Sequence, residues 1–365
     1  MVDAWWMRAL RTVGVPLASV ALAMAIGSVI IMVSGQDPVA AFAALLQGAF
    51  GGWYQIGETV MRATPLMLTG LAVGFGFRAN LFNIGAEGQL ILGSLGAAWF
   101  GLLLAGLPSV VSIPLILLGA ALFGAAWAFI PALLKAKVGA HEVITTMMFS
   151  WIALYFTSWI VSGPLRDTGG IPQTAMLPSS VWLPTFNTFI AGLPPMRAHV
   201  GFLLALVLAV VVALILRRTT LGYEVRAVGF NPSAAENGGI SIPLTTVYAL
   251  CISGALAGLA GASEVLGVTH RMFDQVSAGS GFGFTGIAVA LLGKKHPVGI
   301  LFAALLFGAL NAGAGTMQLM ANVPQKIITI VQGLIIFFVG AETVVTWLIK
   351  RRKRLALERE EATNA

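Results

Sequence analysis

Asn83, Glu87 and Gln89 stand within seven residues, at the head of an apolar run that spans 82–105. Glu87 follows Asn83 by four positions, so a helix would place both on one face. An ionisable group inside an apolar span is costly, which makes it a candidate for the path of a solute. The competing reading is a structural cap near the membrane surface, with Gly85 and Gly88 admitting a close helix neighbour. Glu142 opens another apolar run within His141-Glu142-Val143-Ile144-Thr145-Thr146. It suits the positive end of a helix dipole, or else a gate. Glu58 can pair with Arg62 four positions later. Glu264 falls near the end of its run, where the dipole disfavours a carboxylate. It needs a partner, water or a pore to face.

None of these groups forms an enzyme's constellation. No G-x-x-x-x-G-K-[ST] string occurs, and Gly293-Lys294-Lys295-His296 lacks the upstream glycine and the hydroxyl. The chain is therefore not expected to hydrolyse nucleotide itself. His141, His199, His270 and His296 have no metal-ligand spacing. The single cysteine, Cys251, excludes an intrachain disulfide.

The elements that must position these residues are membrane helices. Of 365 residues, 58% are hydrophobic and 10% charged, against roughly 25% charged in soluble domains. An all-α polytopic membrane protein with no soluble domain is expected. Apolar runs lie at 13–33, 57–77, 82–105, 111–134, 142–161, 199–216, 244–267, 281–293, 298–318 and 326–349. The first is too long for a signal-peptide core and has no cleavage site after it. The eighth, with Gly279, Gly281, Gly283 and Gly286, is too short to cross straight, and reads as a half-helix or re-entrant element. About ten membrane segments result, forming one membrane domain over 1–349.

Cation placement orients them. With the N-terminus inside, the inner side receives Arg8, Arg11, Arg78, Lys135, Lys137, Arg217, Arg218, Arg226, Lys294, Lys295, the five from Lys350 to Arg354, and Arg359, or 16 of 21. Arg62, Arg166, Arg197, Arg271 and Lys326 stay outside. This bias puts both termini in the cytoplasm, provided the short eighth element crosses. It also explains the net charge of +7 without nucleic acid. Trp5, Trp6 and Trp182 fit interfacial anchors, and 350–365 forms a charged tail. The external loop 162–198 is proline-rich and nearly uncharged.

The inner loop 217–243 carries one short helix. Asn231 is a good N-cap, Pro232 suits the first helical position, and Gly238 or Gly239 can stop it. So short a helix is marginal alone and calls for a cytoplasmic packing partner. Gly254 and Gly258 form G-x-x-x-G, and Ala257 with Gly261 repeats the spacing, as tight helix packing requires. Phe282 and Phe284 flank glycines in the broken element. They either pack or stack on a flat ligand.

Five strings occur in order: F-R-A-N-L-F-N-I-G-A-E-G-Q (77–89), H-E-V-I-T-T-M-M (141–148), G-Y-E-V-R-A-V-G-F-N-P-S-A-A (222–235), I-S-G-A-L-A-G-L-A-G-A (252–262) and G-F-G-F-T-G-I-A-V-A-L-L-G (281–293). Together they resemble the permease subunits of ABC importers of the nucleoside and simple-sugar type. That group is related to the ribose and branched-chain amino acid permeases. The resemblance covers about residues 35 to 340. It implies a prokaryotic inner-membrane importer in which two permeases, identical or related, form the pathway. A cytoplasmic ABC ATPase carries ATP and magnesium, so no cofactor is implied on this chain. An external binding protein or lipoprotein delivers the small-molecule ligand. The region 222–239 matches the coupling region, which implies roles for Glu224, Arg226, Gly229, Asn231, Pro232 and Ala235 at the ATPase. Some members of the family carry an aspartate where this chain has Thr285. The expected cargo is a nucleoside; a simple sugar, a branched-chain amino acid, or a secondary transporter driven by an ion gradient are the alternatives.

Overall fold

The computed structural model describes residues 14–190, 192–278 and 281–341. Trp5, Trp6, Arg8, Arg11, Gly279, Lys350 to Arg354, Arg359 and the tail lie outside the described residues. Those described are helical, with two isolated antiparallel bridges and no extended strand. In order, the helices are α1 (Val15–Val33), α2 (Pro38–Phe50), α3 (Trp53–Arg78), α4 (Ala86–Leu103), α5 (Ser109–Val138) and α6 (Glu142–Ser162). Then come α7 (Gly201–Arg218), α8 (Thr220–Phe230), α9 (Pro232–Asn237) and α10 (Ile242–Glu264), which runs on into a π turn, Val265–Thr269. The last are α11 (Gln275–Ala278), α12 (Phe282–Leu292), α13 (Pro297–Ala321) and α14 (Lys326–Ala341).

Among the described residues, seven helices are long and apolar enough to cross a membrane: α1, α3, α5, α6, α7, α10 with its π turn, and α13. Shorter apolar helices are α2, α12 and α14. Every apolar run in the sequence coincides with a helix. Two further helices do not follow from hydropathy. In α2, Asp37 Oδ1 accepts from the Val39 amide at 2.9 Å, capping a helix that starts on Pro38. Its thirteen residues are too few for a span, so a search for spans passes over it. The loop 217–243 holds two helices, not one. Thr219 Oγ1 accepts from the Gly222 amide at 3.1 Å and starts α8. Gly222 and Gly229, poor helix formers, mask that helix in the sequence.

The chain divides into two compact units, Met1–Leu45 with Ala314–Ala365, and Leu46–Gly313. In the first, α1 and α14 meet where a side chain on Gly27 would strike Val331. In the second, α10 is clamped between α4 and α5. A Cβ on Gly258 would collide with the Ala120 carbonyl of α5, and one on Gly93 with Gly258 itself. The G-x-x-x-G stripe therefore works at backbone contact distance. α3 fills the middle of this unit and is buried along most of its length.

The loop 162–198 is sewn to the C-terminal end of α10. Thr174, Leu177 and Leu183 donate their amides to the carbonyls of Met272, His270 and Leu266 at 2.9, 2.8 and 2.9 Å. Trp182 is held in place at this seam. Its ring stacks on His270 at 3.8 Å, and its Nε1 donates to the Leu177 carbonyl at 2.8 Å.

Candidate functional site

The polar residues at the head of α4 converge inside the second unit. Asn83 Nδ2 donates to Gln89 Oε1 and to Ser253 Oγ, both at 2.8 Å, and Gln89 Nε2 returns a bond to Asn83 Oδ1 at 3.1 Å. Ser253 Oγ donates onward to the Ala72 carbonyl at 2.7 Å. All three side chains are buried. Their hydrogen-bonding groups are engaged with one another and with α3. In a dry interior such a closed network rigidifies its surroundings.

Glu87 has a different partner. Its carboxylate accepts from the amides of Gly281 at 3.1 Å and Gly283 at 2.6 Å. Those are orphan donors at the first turn of α12, the natural seat of an anion. Gly281 adopts φ +65°, in the left-handed region, and Gly283 lies so close to Glu87 that any Cβ would clash. Thr69 Oγ1 lies 3.1 Å from the Phe282 carbonyl, and Thr285 Oγ1 donates to Gly281 O at 3.0 Å. The broken element is thus fastened at its start by α3 and α4. Eleven residues give it about 16 Å, half of a bilayer core. Phe284 remains 45% exposed, while Phe282 and Thr285 are half-buried.

Glu264 lines a cavity of about 70 Å³ with Leu90, Ser94, Arg271 and Gln275. That is room for about two waters. Its carboxylate makes no hydrogen bond or ion pair with the described residues. Glu142 does: Lys135 Nζ lies 2.8 Å from its Oε2, joining the facing ends of α5 and α6. Glu58 sits nearer Arg197 (3.3 Å) than Arg62 (3.9 Å). That long-range pair lies beyond any sequence spacing. Gly85 and Gly88 let α4 approach Thr146 and Ser150 of α6.

In the loop 217–243, Asn231 Oδ1 accepts from the Ala234 amide at 3.2 Å, and Pro232 starts α9 as its first residue. Gly239, at φ +82°, reverses the chain after it. Ala235 is buried, so it holds α9 to its own chain. Glu224, Arg226 and Gly229 lie on α8. Gly229 presses on the Arg78 carbonyl, and Arg226 Nε donates to the Gly222 carbonyl at 3.2 Å. Two exposed aromatics flank these residues, Tyr223 and Phe230, the latter 89% exposed. Phe230 sits beside the N-cap of α9, a position that apolar periodicity does not single out.

Helices long and apolar enough to cross a membrane, a short broken helix fastened among them and a capped pair of helices together define a polytopic membrane protein. Residues 55–340 match the family described as branched-chain amino acid transport system / permease component, and the chain belongs to that family. It is 42% identical over 344 residues to the guanosine ABC transporter permease protein NupP of Bacillus subtilis, covering 93% of this chain and 96% of the relative. It is 35% identical to the nucleoside ABC transporter permease protein NupB of Lactococcus lactis, over 97% of each. It is also 36% identical to the glucose ABC transporter permease protein TsgB13 of Haloferax volcanii, over 89% of this chain and 86% of that one. No solved structure matches the chain. The family and the seven apolar spans make it a multi-pass protein of a prokaryotic cytoplasmic membrane.

Proposed function

We propose that this chain is a pathway-forming subunit of an ATP-driven importer that carries nucleosides into the cytoplasm. The observation that carries the cargo assignment is the 42% identity to a guanosine permease across nearly the whole length of both chains. The glucose permease keeps a simple sugar as the second reading, and a flat base favours the aromatic side chains of α12.

In this reading the chain crosses the membrane ten times, counting α4, α12 and α14, and both termini are cytoplasmic. Residues 1–349 form one membrane domain, with 162–198 outside, 217–243 inside and 350–365 as the tail. A second permease completes the path, and an external binding protein or lipoprotein supplies the ligand. ATP and magnesium belong to the cytoplasmic ATPase. Glu224, Arg226, Gly229, Asn231 and Pro232 build the surface that meets it, with Phe230 as the apolar anchor and buried Ala235 holding α9 in place beneath it. Glu264, Phe282, Phe284 and Thr285 face the path. Asn83, Glu87, Gln89 and Glu142 hold the frame around it. The coupled helices bias two states of the path, and ligand shifts them only through its different affinity for each.

The test is uptake of labelled guanosine in cells lacking other nucleoside carriers, with and without this chain. Unlabelled uridine, ribose, glucose and leucine serve as competitors. Uptake that depends on the chain and yields only to nucleosides supports the reading. Uptake blocked by glucose or ribose moves the cargo to sugars. Uptake that survives loss of the ATPase and collapses with an ion gradient overturns the importer class.

A further inference from the structure

An open groove of about 370 Å³ runs between α7 and the start of α13. Val210, Ala213 and Leu214 form one wall, Val298 and Leu301 the other. Val210, Leu214 and Val298 are each more than half exposed, so the groove opens outward from the protein. On two apolar helices long enough to cross a membrane, that is the side that meets lipid tails.

The groove's charged end is built by Arg217 and Arg218, the last two residues of α7. Both are exposed. Arg217 Nη2 donates to His296 Nε2 at 2.8 Å. Burial, then the charges of Arg217 and Arg78, hold His296 below the ordinary imidazole range, so it accepts that bond as a neutral ring. The bond orients the guanidinium without cancelling its charge. No carboxylate lines the groove, and the three ion pairs among the described residues engage Arg62, Arg197 and Lys135 instead. Arg78 adds positive charge at the same corner, where its Nε donates to the Lys295 carbonyl at 3.0 Å.

We propose that this groove is a binding site for an anionic phospholipid, with the headgroup phosphate held by Arg217 and Arg218 and an acyl chain lying along Val210, Leu214 and Val298. Arginine suits phosphate because its planar fork bonds two oxygens at once. Basic pockets between membrane helices recognise anionic headgroups in the same way. A second copy of this chain is the poorer occupant. An isologous contact through this face repeats the same patch on both partners and brings arginine pair against arginine pair.

The test uses the purified full-length chain, delipidated in detergent and then offered an equimolar mixture of dioleoyl phosphatidylglycerol and dioleoyl phosphatidylcholine. Retained lipid is counted by native mass spectrometry. The expected result is a preference for phosphatidylglycerol on the order of tenfold. The Arg217→Gln/Arg218→Gln variant should lose it, and Arg217→Lys/Arg218→Lys should keep part of it. Ala213→Trp, which fills the groove without altering charge, should lower retention of both lipids. Free glycerol phosphate should fail to displace the lipid, since it lacks the apolar tail. Equal retention of the two lipids by the unaltered chain overturns the proposal. So does a preference that survives the glutamine pair, or displacement by glycerol phosphate alone. A Leu214→Cys variant that crosslinks into dimers within vesicles assigns the face to a second copy and overturns it as well. Circular dichroism of each variant separates a lost site from a lost fold.

Discussion

The heart of the second unit and its loop 217–243 use polar residues in opposite ways. Around Asn83, Glu87 and Gln89 the polar side chains are buried and bonded inward. On α8 and α9 the backbone is capped just as carefully, by Thr219 and Asn231, yet Tyr223, Phe230 and most of α9 stay exposed. Satisfied polar networks fix a shape, whereas a capped helix with a bare aromatic beside it offers a shape to something else. Damage to the first region should therefore appear as lost stability, and damage to the second as lost coupling in a chain that still folds.

The strongest way to break the first region is Gly258→Leu. The side chain would run into the α5 backbone at Ala120 and Gly124, and the fold should lose more than about 4 kcal/mol. The check is size-exclusion of detergent extracts, where a monodisperse peak at wild-type yield would contradict it. Glu87→Ala comes next. It strands the buried amides of Gly281 and Gly283, at a cost of about 3 kcal/mol. Thermal unfolding of the purified chain measures it, and an unchanged midpoint would separate Glu87 from the anchoring of α12.

The second region calls for different readouts. Asn231→Leu with Pro232→Gly removes the start of α9 and should abolish uptake while membrane insertion stays normal. Full uptake by that double variant would deny α9 any coupling role. Phe230→Ala should leave unfolding within about 0.5 kcal/mol of the parent. It should weaken ATPase association by about 2 kcal/mol, as the loss of an aromatic anchor does. Titration of ATPase onto the reconstituted chain reads this directly.

The smallest effect concerns pH at the edge between the two regions. His296 titrates below its ordinary value in the folded chain, because burial and then Arg217 and Arg78 disfavour its cation. Its contribution to stability is complete above the unfolded value of about 6.5 and fades as pH falls below that. Unfolding midpoints between pH 8 and 5 should show a shallow decline that flattens in His296→Gln. A decline of equal slope in that variant would assign it to other groups.

The sequence makes the first-order architecture legible because a bilayer demands long apolar runs, and those runs survive as helices. The start of α9 is equally plain, since Asn231 and Pro232 declare themselves by type. What stays hidden is long-range. Glu87 and Gly283 are nearly two hundred positions apart, and only their meeting turns a suspicious buried acid into an anchor. Trp182 reads as an interfacial residue by composition but belongs to a stack with His270. α8 hides behind two glycines whose cost is repaid by contact with Leu216 and Arg78, which no local pattern announces.

The continuous rod from Ile242 to Thr269 has a mechanical consequence. Its 28 residues reach about 40 Å, from the turn after α9 to the seam under the external loop. At its start the Ile240 amide is tied to the Ala235 carbonyl of α9 at 3.0 Å, and at its far end Leu266 and His270 hold the loop 162–198. The two attachments are thus joined by unbroken helical winding. The π turn, with its wider and looser winding, is where what play there is resides.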